Sequence, residues 1–162
     1  MDADDIVSLA QILSMPRPVA SHFVAESNRI EGIHRDPTQA EIQEFERFMA
    51  LREITIQEIE RFVSVSQSGA VLRDKTDLNA FVGGRKAPVG GPHIRQILSD
   101  ILDAMDDAGA YQTHIAFELL HPFTDCNGRA GRMIWAWQMR GDFPLGFLLH
   151  FYYQSLYAQA TK

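Results

Sequence analysis

Twelve consecutive residues hold most of the side chains that could work together as chemistry: His121-Pro122-Phe123-Thr124-Asp125-Cys126-Asn127-Gly128-Arg129-Ala130-Gly131-Arg132. His121 can accept a proton near neutral pH. Asp125 is a hard oxygen ligand of the kind Mg²⁺ takes, one or two carboxylates completed by phosphate oxygens. Asn127 and Gly128 fall where a helix should begin, so backbone N–H groups point outward there and the glycine lets an anion approach closely. Arg129 and Arg132 share a helical face in the first turns of that helix. Cations there oppose the macrodipole by about 0.3–1 kcal/mol each at exposed sites. A local preference broken twice at one spot predicts an anion that offsets it. Base, metal ligand, N–H cradle and two guanidinium groups are the parts of a phosphate-transfer site.

Each of these residues also has an ordinary role. A His-Pro after a helix stops it, Asp or Asn caps the next one, and arginines on a helix usually face water. Together within one short loop, chemistry is the better account. Phe123 is expected to anchor the loop in the core either way. Cys126 is the chain's one cysteine. Without a second thiol or a ligand repeat, zinc is improbable, and a Cys126–His121 nucleophilic pair is a weak rival.

The elements that must position this loop read as helices. Ile6, Leu9 and Leu13 recur at helical spacing before Pro16 and Pro18. A helix is expected from about Pro18 to Glu31, stopped by Gly32. Pro37 and Thr38 open another with Ile42, Phe45, Phe48 and Met49 as its apolar stripe. A further helix spans Ile54 to Val65. The stretch from Ser66 to Gly91 reads as loop and short irregular hairpin, with Leu78, Ala80 and Val82 alternating. Pro92 starts a helix, Gly109 separates it from the next (Tyr111 to Leu120), and Pro122 ends that one. Gly128 to Met139 is helical again. After Gly141 and Pro144 comes a last apolar helix, Phe147 to Tyr157. Trp135, Trp137, Met133 and Met139 read as core packing, and His93 and His114 as helix residues rather than catalysts. The fold class is all-α with one small hairpin.

Composition limits the partners. The chain has 162 residues, 46% of them hydrophobic, and a net charge of −6. That length favours one domain with a core of its own. An acidic chain without a basic stripe is a poor candidate for nucleic acid. No apolar run reaches the ~20 residues of a membrane span, and no basic region precedes an apolar one at the N-terminus. The expectation is a cytoplasmic protein with no nucleic-acid or membrane partner.

The 121–132 loop resembles the signature of the Fic family, His-Pro-Phe-x-(Asp/Glu)-Gly-Asn-Gly-Arg-x-x-Arg, and departs from it only at Cys126, where the family has Gly. The resemblance implies a Fic-type helical bundle over residues 1–162, with an N-terminal region at 1–36, a flap at 78–91 and the catalytic loop at 121–132. It implies an enzyme that transfers AMP from ATP to a Ser, Thr or Tyr hydroxyl of a target protein. His121 would be the base and Asp125 the Mg²⁺ ligand. Cys126, Asn127 and Gly128 would cradle phosphate, with Asn127 also donating to it. Arg129 would hold the β-phosphate and Arg132 the γ-phosphate. The family changes its reaction when the Cys126 position changes, so another phosphate-linked group, or a weakened nucleotide-binding module, stays open as an alternative. The reading leaves room for a homodimer.

The second helix carries Ser27-Asn28-Arg29-Ile30-Glu31-Gly32. On a helical wheel Glu31 shares an apolar arc with Phe23 and Ser27, while Arg29 points away. A carboxylate there requires a partner. An exposed pair with Arg35 is one choice, although Gly32 should end the helix between them. The segment also resembles the family's inhibitory motif, (Ser/Thr)-x-x-x-Glu-(Gly/Asn), which implies that Glu31, oriented by Ser27, pairs with Arg132 and blocks ATP. Lys86, Pro88 and Val89 would then form the flap edge that holds an extended target segment.

Overall fold

A computed structural model describes residues 16–82 and 85–140. Among these are six helices: α1 (Pro16–Ile30), α2 (Gln39–Met49), α3 (Ile56–Ser66), α4 (Pro92–Asp103), α5 (Met105–Leu120) and α6 (Asn127–Met139). Two short strands, β1 (Phe81–Val82) and β2 (Arg85–Lys86), pair antiparallel with Phe81 opposite Lys86 and Val82 opposite Arg85. The all-α expectation therefore holds. The helices expected around Ile6–Leu13 and Phe147–Tyr157 lie outside the described residues. No helix among the described residues is long and apolar enough to cross a membrane.

Local chemistry places most boundaries. Thr38 caps α2 by accepting from the Glu41 N–H, and Glu41 reaches back to the Thr38 N–H at 2.7 Å, a complete capping box. Thr55 caps α3 in the same way through the Glu58 N–H. Pro92 opens α4 in the first turn, where its missing N–H costs nothing. The separation expected at Gly109 is where the backbone leaves helical angles (φ 78, ψ 160), a kink inside α5. Ala104, where α4 passes to α5, stays right-handed at φ −89, ψ −4, with its N–H bonded to the Asp100 carbonyl at 3.1 Å.

Helix α6 is the centre of the molecule. It packs against α1, α2, α3 and α5, and apart from Gly128 it is buried from Asn127 to Trp137. A helix covered on all sides needs no polar face, and Met133, Ile134, Trp135 and Trp137 join Phe45, Phe48, Ile59, Phe117 and Phe123 in one core. The core role expected for both Trp residues, Met133 and Phe123 is what the packing shows. Trp137 also donates through Nε1 to the Leu51 carbonyl at 3.0 Å.

The link between α1 and α2 is polar and buried. Glu41 is 3% exposed. It accepts both fork nitrogens of Arg35 at 2.8 and 2.9 Å and the Asn28 amide at 3.3 Å. Arg35 is thereby committed to Glu41 and not to Glu31. Burial alone would raise the Glu41 pKa, but the hydrogen bonds from Arg35 and Thr38 outweigh it and hold the carboxyl at about 2. A depressed carboxyl contributes stability above its unfolded value of 4.5 and loses it as pH falls toward 2. The contribution is on the order of 2–3 kcal/mol. Glu41→Gln should lower the unfolding free energy measured by urea denaturation at pH 6 by that order, with the gap to the parent closing as pH drops below 4.5; a gap independent of pH would count against the ionised carboxylate.

Candidate active site

The 121–132 loop is bracketed by strained backbone. His121 ends α5 at φ 49, ψ 60 and Cys126 precedes α6 at φ 70, ψ 11. Both are left-handed, and among the described residues they are the non-glycine residues with positive φ. Each costs about 1–2 kcal/mol in an L-residue, so the surroundings must hold them. Asn127 does much of this. It is 2% exposed, and its side-chain amide accepts from the Phe123 N–H and donates to the Phe123 carbonyl, both at 2.8 Å. Phe123, 1% exposed, plugs the core. The segment 71–73 runs alongside: the Thr124 N–H donates to the Val71 carbonyl at 2.9 Å, and Leu72 bridges Phe123.

Helix α6 begins without a side-chain cap. Its first-turn N–H groups face outward, as an anion site requires. The sequence-predicted residues divide around this end. Gly128 lies at it, and Asp125 is exposed beside it. The cradle is narrower than expected, because the Cys126 N–H donates to Asp125 Oδ1 at 2.6 Å. The Asn127 amide oxygen and one of its two N–H donors are engaged by the Phe123 backbone. Arg129 is 5% exposed and turned away, donating to the Ser66 carbonyl at 2.8 Å and to Gln67 Oε1 at 2.7 Å. It closes the C-terminal end of α3, where a cation is favoured. The anion inferred from two misplaced cations is thus unnecessary for Arg129.

Arg132 behaves differently. It is 2% exposed. Its Nε donates to Ser27 Oγ at 2.9 Å, and its Nη2 donates to the Ser27 carbonyl at 2.9 Å and to Glu31 Oε1 at 2.6 Å. Residues about a hundred positions apart in sequence are joined here. Glu31 itself is not on a buried face: α1 stops at Ile30, and Glu31 lies 37% exposed in the turn that follows. Only its carboxylate reaches inward. A Cβ at Gly128 would lie 2.2 Å from Glu31 Oε1 and 3.1 Å from Arg132 Nη1. The carboxylate therefore covers the N-terminal turn of α6 where an anion would sit, and only glycine leaves it room. Arg29 pairs outside with Glu26, as its expected direction required.

His121 is half-buried. Burial lowers its pKa, the nearby Arg73 charge lowers it further, and the Glu118 carbonyl with the charges of Glu31 and Asp125 oppose both. The direction leaves a neutral imidazole able to accept a proton at pH 7. Cys126 is buried, and burial pushes its thiol up to about 12. A thiol held so far from its thiolate is no nucleophile, which removes the Cys126–His121 rival. Among the described residues no group of three or more His, Cys, Asp or Glu is placed to hold a metal. A cation here would rest on Asp125 and on oxygens brought by the substrate. Lys86, Pro88 and Val89 lie exposed along the hairpin and the turn after it, with no link to the loop through their side chains.

Three residues that sequence reasoning did not select belong to the site. Arg73 is fully buried and reaches both the loop and the hairpin. His114 and Glu118 stand one turn apart on α5 against Gly131, where a Cβ would lie 2.4 Å from Glu118 Oε1 and 3.2 Å from His114 Nδ1. Burial raises the Glu118 carboxyl to about 7, with Arg132 opposing and Glu31 adding to the shift. Burial lowers His114 to about 4, opposed by the Gly131 backbone and aided by Arg132. The i, i+4 spacing of His and Glu was visible in the sequence, but burying both as neutral groups depends on α6 packing over them.

These two shifts act on stability in opposite senses. The raised Glu118 contributes most below its unfolded value of 4.5 and its contribution is lost as pH rises through 7. The lowered His114 loses stability as pH falls from 6.5 to 4. Glu118→Gln is neutral at every pH, so its stability relative to the parent should grow by on the order of 2–3 kcal/mol between pH 4.5 and pH 8. Urea denaturation of both proteins across that range measures it, and a constant difference would rule out a buried protonated carboxyl.

No family model, no curated protein and no solved structure matches the chain, and the reading of this site rests on its own residues.

Proposed function

We propose that this chain is a Fic-type protein adenylyltransferase held in an off state by Glu31. The observation that carries the reading is the Glu31 carboxylate seated over Gly128 and paired with the buried Arg132. A carboxylate oxygen there stands in for a phosphate oxygen: it takes the uncapped end of α6 and the one guanidinium that an incoming polyphosphate would need. The Ser27–Gly32 segment and the 121–132 loop, about a hundred residues apart in sequence, meet through this pair, which supports the reading.

In this reading ATP lies with its phosphates over the N-terminus of α6 once Glu31 withdraws. Arg132, still held through Ser27, takes the γ-phosphate. Asp125 would hold Mg²⁺, whose chemistry would be to neutralise charge on the phosphate oxygens. Neutral His121 accepts the proton of a target Ser, Thr or Tyr hydroxyl. The hydroxyl oxygen then forms its bond to the α-phosphorus as the bond to the bridging oxygen breaks, and pyrophosphate leaves. The exposed edge at Lys86, Pro88 and Val89 holds the target segment. The protein is read as cytoplasmic and its substrates as ATP and a protein.

A second reading has its own support. Arg129 and the Asn127 side chain both bond inside the fold, and Cys126 adds a Cβ where the family has Gly. Fewer free phosphate donors suit a transferase of another phosphate-linked group, or a nucleotide-binding module with weakened catalysis.

Labelled ATP separates these. With an off state favoured about a hundredfold, Glu31→Gly should raise self-modification by up to ~100-fold. Label from the α-phosphate, lost in Glu31→Gly/His121→Ala, is the expected result. Label from the γ-phosphate would mean phosphorylation. Nucleotide binding without transfer of either label would favour the binding module, and equal rates with and without Glu31 would refute the brake.

A further inference from the structure

Arg73 and Arg132 are the two largest of the fully buried side chains among the described residues. The Arg73 backbone lies along the 121–132 loop: its N–H donates to the Pro122 carbonyl at 2.8 Å, and its carbonyl accepts from the Gly91 N–H at 2.9 Å. Its guanidinium then divides between two segments. Nε donates to the His121 carbonyl at 2.7 Å and Nη2 to the Leu120 carbonyl at 2.9 Å. Nη1 donates to the Leu78 carbonyl at 3.1 Å and the Pro88 carbonyl at 2.8 Å. Among the described residues no carboxylate pairs with it.

A buried cation without a counter-ion is costly. Plain stapling of two loops does not require one. What the guanidinium offers is a rigid planar fork that can satisfy several carbonyls in different directions at once. Two of those carbonyls end α5, where a cation is favoured by the helix dipole. The other two flank the hairpin. The next residue, Asp74, bonds Arg95 of α4 at 3.2 Å, and Arg95 bonds Glu60 of α3 at 3.0 Å. The fork is therefore anchored to the helical body.

We propose that Arg73 is a positioning residue that joins the 78–90 hairpin segment to His121, so that the edge offered to a target and the base are placed by one guanidinium. The inference rests on reading His121 as the base and the hairpin as the target edge. Its charge also acts on the imidazole in the same direction as burial, against Glu31 of the turn after α1 and Asp125 of the loop.

Amide hydrogen exchange followed by NMR on the full chain tests the join without any assay of activity. The reporters are the Ala87 N–H, bonded to Ala80, and the His121 N–H, bonded to Phe117. The Ile59 N–H, bonded to Thr55, and the Ala130 N–H, bonded to Cys126, are controls. In Arg73→Lys, which keeps the charge but not the fork, Ala87 and His121 should both exchange faster by ~10-fold or more while the controls hold. Acceleration of one reporter alone, of neither, or of all four alike would overturn the proposal. Arg73→Ala should show the same pair of changes, reversed by added guanidinium and not by sodium chloride; if that variant does not fold, the Lys variant decides. In the Glu31→Gly background, Arg73→Lys should lower kcat for the labelled transfer and leave KM for ATP unchanged. If Glu31→Gly transfers no label at all, the enzymatic reading fails while the exchange result still judges the join.

Discussion

A guanidinium buried in the first turns of the central helix is the constraint around which the molecule is arranged. Arg132 sits where the helix dipole is already positive, covered by protein and unable to lose its charge. Something must compensate it. Ser27 supplies a hydroxyl and a carbonyl, and Glu31 supplies charge. That need fixes the end of α1 against α6, and α1 in turn is fixed to α2 through Asn28 and the Glu41 capping box. The register of three helices follows from one cation. Because Ser27 holds the guanidinium through two bonds that do not involve Glu31, the carboxylate can leave without stranding it.

Arg129 and Arg73 use the same solution in another form. Each is buried and each is satisfied mainly by carbonyl oxygens at a helix end, Ser66 for one and Leu120 and His121 for the other. One Arg129 nitrogen, Nε, has no protein partner. Arg129 also lines a cavity of ≈ 20 Å³ with Ser27, Asn28 and Glu41, room for about one water. The proposed site is thus built from a backbone whose exposed carbonyls are collected by arginines and whose exposed N–H groups are left for an anion.

Much of this was legible in the sequence. The helices follow from apolar spacing and from caps such as Thr38 and Pro92, which act locally. The loop was found because two bases at a helix start are unusual there, and Glu31 because a wheel extended one residue past the end of α1 put it on an apolar arc. What was missed depends on distance. That Arg129 turns to the end of α3 is decided by packing against an element about sixty residues away. Arg73 was not singled out because its partners are carbonyls, which carry no sequence identity.

The cysteine at the head of α6 has a consequence for handling and for cells alike. A loop proposed to manage phosphates would be a vulnerable place for a thiol if that thiol were ionised, since oxidants and alkylating agents attack the thiolate. Cys126 is enclosed, and its proton is held up to about 12. The substitution that most sets this loop apart is therefore chemically silent toward peroxide and maleimide while the fold is intact. Reaction of this thiol with either reagent would report unfolding around α6 rather than chemistry at its tip.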